Sequence, residues 1–554
     1  MPKASFVIYG CPYTAFEETK DIEAFVVPEP NRTLYHLNRN THRILNMVGF
    51  SGVKDVRLVG CSREFIEDFS ALLAEYPAAG FRLDIEEKKC TAFSRHVTGD
   101  PNGADVIVVE GQPDLIPIAH QLAREKWAKI VLVDPTSDQE ATAFAANLKD
   151  FEECNGLARQ NGLNACRAFI EKKLGAGFLS GSFSSATFIT KLPFNLYPFR
   201  FPTGHLRARV AGELATAGLL KARTPRLQAG VTVILDSGNT QVAAASEYGA
   251  LRDLLCSSYG VLPVHKPADL GDFQHFVEDI PVDLIFLTAH SIQMALTNLE
   301  ATFSFKGRMC RAQYAVDRGI SSIPQSGLIG CQTSYVPIEV NGVSWKADEC
   351  ERELFLKFAK VEMDASLGMK PKDSEFENIK ITVATNTTPI RFPAKCIKCG
   401  DDQNFVPLTH TIGCYYFPLV FNNACASFSG ICEEFVPDAS FYVGTTRGVD
   451  SFSAVEVVNK FAQNLGNMTV GEALFKAQYP FINDYTPYLL AGVPWLTIPR
   501  FASPAAAIMK ASSLLKDFRY SNTGNAREDH TRSVFQEQQR NLLLRQLFPE
   551  GPKT

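Results

Sequence analysis

The sequence predicts an α/β fold built on a mostly parallel sheet with flanking helices, and three observations carry that prediction. Short apolar runs alternate with amphipathic stretches, the strand–helix–strand order that yields parallel strands. The runs are apolar on both faces, as in strands covered by helices on two sides. Three of them end abruptly in a polar or reactive residue: 231–236 in Asp236, 282–290 in His290, and 415–425 in Cys425. In an open α/β sheet the carboxyl ends of strands are where functional side chains stand. If the last two strands are neighbours, a thiol and an imidazole meet at one edge as nucleophile and base.

Length and composition set the bounds. A chain of 554 residues exceeds one ordinary core and predicts two or three domains. A hydrophobic content of 45% and a formal net charge of -5 are those of a soluble chain, and argue against direct nucleic-acid binding over a general basic surface. No run of eighteen apolar residues is present, so no membrane span is expected. The amino terminus reads as a first strand rather than a secretion signal. Fourteen cysteines, scattered through so long a chain, suit a reducing, cytoplasmic setting with most of them buried as small hydrophobes.

Residues 1–220 read as a first α/β domain. Strands are expected at 56–61, 105–110 and 128–135, and helices at 62–75 and 114–125. Ser62 caps the first of these helices, because its hydroxyl can accept N–H groups of the opening turn. Gly10, Gly60 and Gly111 follow strands singly, so neither phosphate-binding glycine spacing is met. Residues 174–190, rich in Gly, Ser and Thr, read as a loop, and 205–220 as a helix ending in a basic linker. This domain carries no catalytic constellation and is expected to sense or dock.

A second α/β domain covers 231–480. Strands at 231–236, 259–264 and 282–290 alternate with helices at 243–257 and 269–278. Right-handed crossovers then bring Asp236 and His290 to one edge. The 134 residues between His290 and Cys425 hold an expected insertion at about 295–410. Within it, Lys306-Gly307 marks a β-hairpin, and 349–363 has helical apolar spacing. Cys396 and Cys399, with His410 and Cys414, form a Cys-x2-Cys-x10-His-x3-Cys pattern. Such a set could hold a structural zinc tetrahedrally, stay unliganded, or act as a redox pair. After Cys425 come a strand at 439–445, a helix from Ser451, and a helix at 469–478 with Thr469 and Glu472 at capping-box spacing. Residues 481–554 read as a helical extension.

At these residues the chain resembles the CHAT cysteine peptidases, a caspase-like branch also similar to separase. The resemblance rests on Ala289-His290-Ser291, Asn423-Ala424-Cys425, Gly444-Thr445, Val449-Asp450, Glu472-Ala473-Leu474 and Ala477-Gln478. It covers about 231–291 and 415–480. Ser291 stands where the family has glycine, and the His–Cys interval exceeds the family's. The resemblance implies a cysteine endopeptidase of caspase-like fold with a His290–Cys425 dyad, needing no cofactor for catalysis. The backbone N–H groups of Ser291 and Cys425 would line the oxyanion site. Asp450, or alternatively Asp236, would select a basic residue before the cut. A protein substrate and a regulatory protein partner are expected, as in bacterial defence systems. The alternative is a non-catalytic interaction protein on the same scaffold.

Overall fold

The computed structural model describes residues 5–22, 33–36, 41–74, 80–89, 99–223, 230–238, 242–256, 258–262, 264, 267–274, 276–277, 282–293, 297–323, 328–344, 354–355, 357–359, 361, 375–383, 395–401, 404–405, 417–428, 439–449 and 451–499, with 503, 506 and 509; for some of these only the backbone is described. They form two compact units. The first comprises residues 1–290, 399–401 and 409–554, and the second 291–398 and 402–408.

The first unit carries a four-stranded parallel sheet of β1 (Ser5–Tyr9), β2 (Thr33–His36), β3 (Asp55–Val59) and β4 (Arg82–Glu86), in the order β2-β1-β3-β4. Val56 and Leu58 point into a core with Ile44, Val48, Phe65 and Phe69, which the helix Ala211–Arg223 closes with Ala217 and Leu220. As expected, the helix Arg63–Ala74 follows Ser62, whose Oγ accepts the Phe65 N–H at 3.3 Å.

The larger sheet has ten strands. From the first part of the chain come β5 (Asp105–Glu110), β6 (Lys129–Val133), β7 (Ser185–Thr190) and β8 (Thr203–Arg207). From the later part come β9 (Val231–Asp236), β10 (Gly260–Val261), β11 (Leu284–Thr288), β20 (Leu419–Asn422), β21 (Phe441–Thr445) and β22 (Tyr488–Ala491). Their order is β10-β9-β11-β20-β21-β22-β8-β7-β5-β6. Every neighbouring pair is parallel except β21 and β22. Because β22 turns over and then runs parallel to β8, the two groups of strands point in opposite directions. Each group places its first strand between its second and third, so each has a point where strand order reverses, the usual position of a ligand crevice.

Several expectations differ from this arrangement. The sequence divides the chain near 220, whereas one sheet spans the division and β22 joins it to β8. The stretch 481–554, expected as a helical extension, contributes β22 to the middle of that sheet, and residues beyond 499 lie largely outside the described ones. The loop expected at 174–190 contains β7, all six residues of which are buried. Two of its three hydroxyls find acceptors in the interior: Ser185 Oγ donates to Asp105 Oδ1 at 2.5 Å and Thr190 Oγ1 to Leu192 O at 2.7 Å. The helix expected from 205 begins only at Ala211, because His205 and Leu206 lie in β8. A Cβ on Gly204 would come within 2.2 Å of Gly492 O, so this strand runs too close to its neighbour for any side chain there.

The second unit holds two further sheets, the larger of them antiparallel throughout. One joins β12 (His290–Gln293), β18 (Lys395–Lys398) and β19 (Asn404–Phe405). The other holds β13 (Thr297–Phe305), β14 (Arg308–Ile323), β15 (Leu328–Val340), β16 (Val343–Ser344) and β17 (Phe376–Val383). The hairpin expected at Lys306-Gly307 is present, with φ of 50° and 79° at the two turn residues. Phe303, Tyr314, Phe355 and Phe358 make its core.

Candidate active site

The Cys425 turn begins at the carboxyl end of β20. Leu287 of β11 pairs with Asn422 of β20, and the Asn423 N–H donates to Leu287 O at 2.9 Å. His290 lies three residues beyond Leu287, and Cys425 three beyond Asn422. Adjacent parallel strands lie about 4.8 Å apart, so β11 and β20 end side by side, with His290 and Cys425 each three residues past the paired ends. That edge also holds the strand-order reversal between β9 and β11. The side chain of His290 lies outside the described residues.

A buried polar network fixes the turn. Asn422 is fully buried, its Nδ2 donates to Tyr442 OH at 3.0 Å, and its Oδ1 accepts the Ala424 N–H at 3.0 Å. Ser427 Oγ donates to Asn422 O and accepts the Thr445 N–H, both at 3.0 Å. Thr445 Oγ1 donates to Ala424 O at 2.7 Å, and Tyr442 OH to Ser427 O at 2.9 Å. Ala426 is held at φ 48°, a left-handed conformation that a non-glycine residue adopts only when its surroundings impose it. Gly444 lies beneath: a Cβ there would come within 3.0 Å of Ser427 Oγ and the Phe428 nitrogen. The result is a sharp, rigid turn with a half-buried Cys425 near its apex. A Cβ on Gly448 would stand 3.8 Å from the Cys425 sulfur, so the loop following β21 passes beside the thiol.

Arg447 belongs to this wall. Its Nε and Nη1 are buried and have no hydrogen-bond partner, while its guanidinium lies 6.0 Å from the centre of the Phe151 ring. Burial and the neighbouring Arg159 guanidinium disfavour its charge, and Cys425 and Tyr485 favour it. Phe151 is in the last turn of the helix Asp138–Glu153 and Arg159 in the first turn of the helix Gly156–Leu179, on either side of the turn that joins them. Since the two groups of strands run in opposite directions, this turn, at the amino edge of one group, reaches the carboxyl edge of the other.

The remaining residues singled out from the sequence are distributed as follows. Ser291 opens the second unit, with only its backbone described. Asp236 ends β9 at the expected edge but is buried, and its Oδ1 accepts the Gly238 N–H at 2.9 Å. That is a turn-closing role. Asp450 lies outside the described residues, as do His410, Cys414 and the side chain of Cys396. Cys399 is buried. Among the described residues no three His, Cys, Asp or Glu side chains converge as a metal site. The zinc expectation therefore rests on residues mostly outside the description.

Two other cysteines are held as thiols by burial, Cys61 pushed up to about 11 and Cys166 to about 12. Cys11 is disulfide-bonded, which departs from the reducing setting expected from the scatter of cysteines. The Asn422–Ser427–Tyr442–Thr445 network and the Arg159–Phe151–Arg447 cluster were not assembled from the sequence. The small and polar run 422–427 was its only local signal, because the other members lie far along the chain.

Neither a protein-family model nor a curated protein matches this sequence. Among the described residues no helix is long and apolar enough to cross a membrane.

Proposed function

We propose that this chain is a cysteine endopeptidase in which Cys425 is the nucleophile and His290 its base. The observation that supports the reading is the register of β11 and β20, adjacent parallel strands whose paired ends each lie three residues before one of these two. The thiolate would attack a peptide carbonyl to form an acyl-enzyme, and His290 would pass the thiol proton to the leaving amine. Water would then release the acyl group and restore the thiol. The Cys425 N–H, fixed by the buried turn, is suited to stabilise the oxyanion, because a donor that needs no reorganisation stabilises developing charge best. The mostly parallel sheet with flanking helices supports the caspase-like reading of the fold.

Control by a protein partner belongs to the same proposal. Beyond the Thr297–Val316 pair, β14 and β15 continue as a two-stranded ribbon, and a ribbon edge is a surface to which a partner strand can add. Cys154 and Cys310, both outside any disulfide, favour a cytoplasmic setting, against which the Cys11 disulfide stands. For a basic residue before the cut the described residues offer little support, since Asp450 lies outside them and Asp236 is buried, with one carboxylate oxygen accepting the Gly238 N–H.

The test is cleavage of a mixed peptide library by the full chain, by Cys425→Ala and by His290→Ala, each shown to be folded by circular dichroism. Loss of all cleavage in both variants is expected. Cleavage that survives in folded Cys425→Ala removes the proposal.

A further inference from the structure

The Arg447 guanidinium sits in the wall beside Cys425 with Nε and Nη1 buried and unspent. Burying such donors without partners is costly, and structures tolerate it chiefly where something else is to occupy the site. A second guanidinium stands beside it. Arg159 and Arg447 each lie 6.0 Å from the centre of the same Phe151 ring. The two cations disfavour one another, and among the described residues neither has a carboxylate within ion-pair distance. The nearby acid Asp484 instead faces Arg167, at 3.7 Å. Two like charges, one with buried donors, against an aromatic floor, cost free energy in the empty protein. A bound carboxylate offsets that cost with charge-assisted hydrogen bonds, and guanidinium planes suit it in geometry as well as charge.

We infer that Arg447 and Arg159 form a subsite beside Cys425 that takes the carboxylate side chain of an Asp or Glu residue in the substrate. The inference rests on the cysteine-peptidase reading for its substrate, but the anion site itself can be tested apart from it. It also replaces a basic residue by an acidic one as the preferred neighbour of the cut.

The probes are iodoacetate and iodoacetamide, which deliver an anionic and a neutral group to the same sulfur. In both reactions the thiolate displaces iodide and forms a carbon–sulfur bond. Alkylation of Cys425 in the full chain is followed by peptide mass spectrometry, with exposed Cys256 as the internal reference. The ratio of iodoacetate to iodoacetamide rates at Cys425 is expected to exceed that at Cys256 by about tenfold, the scale of charge steering at short range. In Arg447→Gln the iodoacetate rate should fall far more than the iodoacetamide rate. Arg159→Gln, on an exposed helix start, gives the same reading if the first variant does not fold. Equal ratios at the two cysteines overturn the inference. So does an equal loss with both reagents, which would mean that the arginine serves the thiolate and not a ligand. A second arm compares peptides carrying Asp with peptides carrying Asn near the cut. If the alkylation ratio holds while no peptide is cleaved, the anion site stands and the peptidase reading falls.

Discussion

The Thr445 hydroxyl is the smallest group on which the Cys425 turn depends. It donates to Ala424 O at 2.7 Å inside the protein, so Thr445→Val leaves that carbonyl without its partner while keeping the side-chain shape. The expected loss is about 1–2 kcal/mol of stability, the usual cost of an unmet buried hydrogen bond. Denaturant titration measures it, and alkylation of Cys425 should slow in the same variant. At this scale the sequence was informative where chemistry ends a strand. The strand ends before Cys425 and His290 were legible because each closes an apolar run. Arg159 and Phe151 were not, because nothing local in 151–159 refers to a strand nearly three hundred residues away. Asp236 looked like a ligand-facing acid for the same reason that it closes a turn: both roles place a carboxylate just past a strand.

Among the elements, the helix Ala211–Arg223 is tied to β11 by one buried ion pair. Lys221 Nζ bonds Asp283 Oδ1 with both side chains essentially inaccessible, and Asp283 Oδ2 accepts the Gly230 and Val231 N–H groups at 3.0 Å. Burial pushes the Lys221 ammonium down, and the carboxylate opposes that shift. Lys221→Ala strands a buried carboxylate and should cost about 3–5 kcal/mol, whereas Lys221→Met with Asp283→Asn, which removes both charges and keeps an acceptor for the two N–H groups, should recover much of it. Urea midpoints of the three proteins decide this. No loss in the single variant would show that the pair contributes nothing. Strands β9 and β11 were readable because their runs are uniformly apolar. β7 and β8 were not, since Ser, Thr, Gly and His dominate them. The tight passage of Gly204 against Gly492 is a tertiary constraint that composition does not announce.

Across the whole molecule, the two groups of strands meet where β22 joins β8, and His205 sits in that seam. Its Nε2 donates to Thr190 O at 2.9 Å, its own carbonyl accepts the Gly492 N–H at 3.0 Å, and burial lowers the imidazole to about 4. The folded protein therefore binds its proton more weakly than the unfolded chain, whose histidines titrate near 6.5. Stability from this group is fully present above about pH 6.5, and falls as pH drops toward 4 because the unfolded state takes up more protons. The loss is about 3 kcal/mol, and His205→Gln should flatten the pH dependence of thermal unfolding between those limits. An unchanged profile would exclude the histidine as its source. This seam is also why the chain resists division at 220. The alternation of strands and helices revealed the class of fold, but not that two oppositely directed groups share one sheet.

The central claim is that β11 and β20 deliver His290 and Cys425 to one another as base and nucleophile. It is tested most directly by the rate at which a neutral alkylating agent modifies Cys425 at about pH 6, where an ordinary thiol is almost entirely protonated. In the full chain Cys425 should react at least about tenfold faster than exposed Cys256, and His290→Ala should remove that advantage while leaving the Cys256 rate alone. A Cys425 no faster than Cys256, or one indifferent to the loss of His290, would contradict the account.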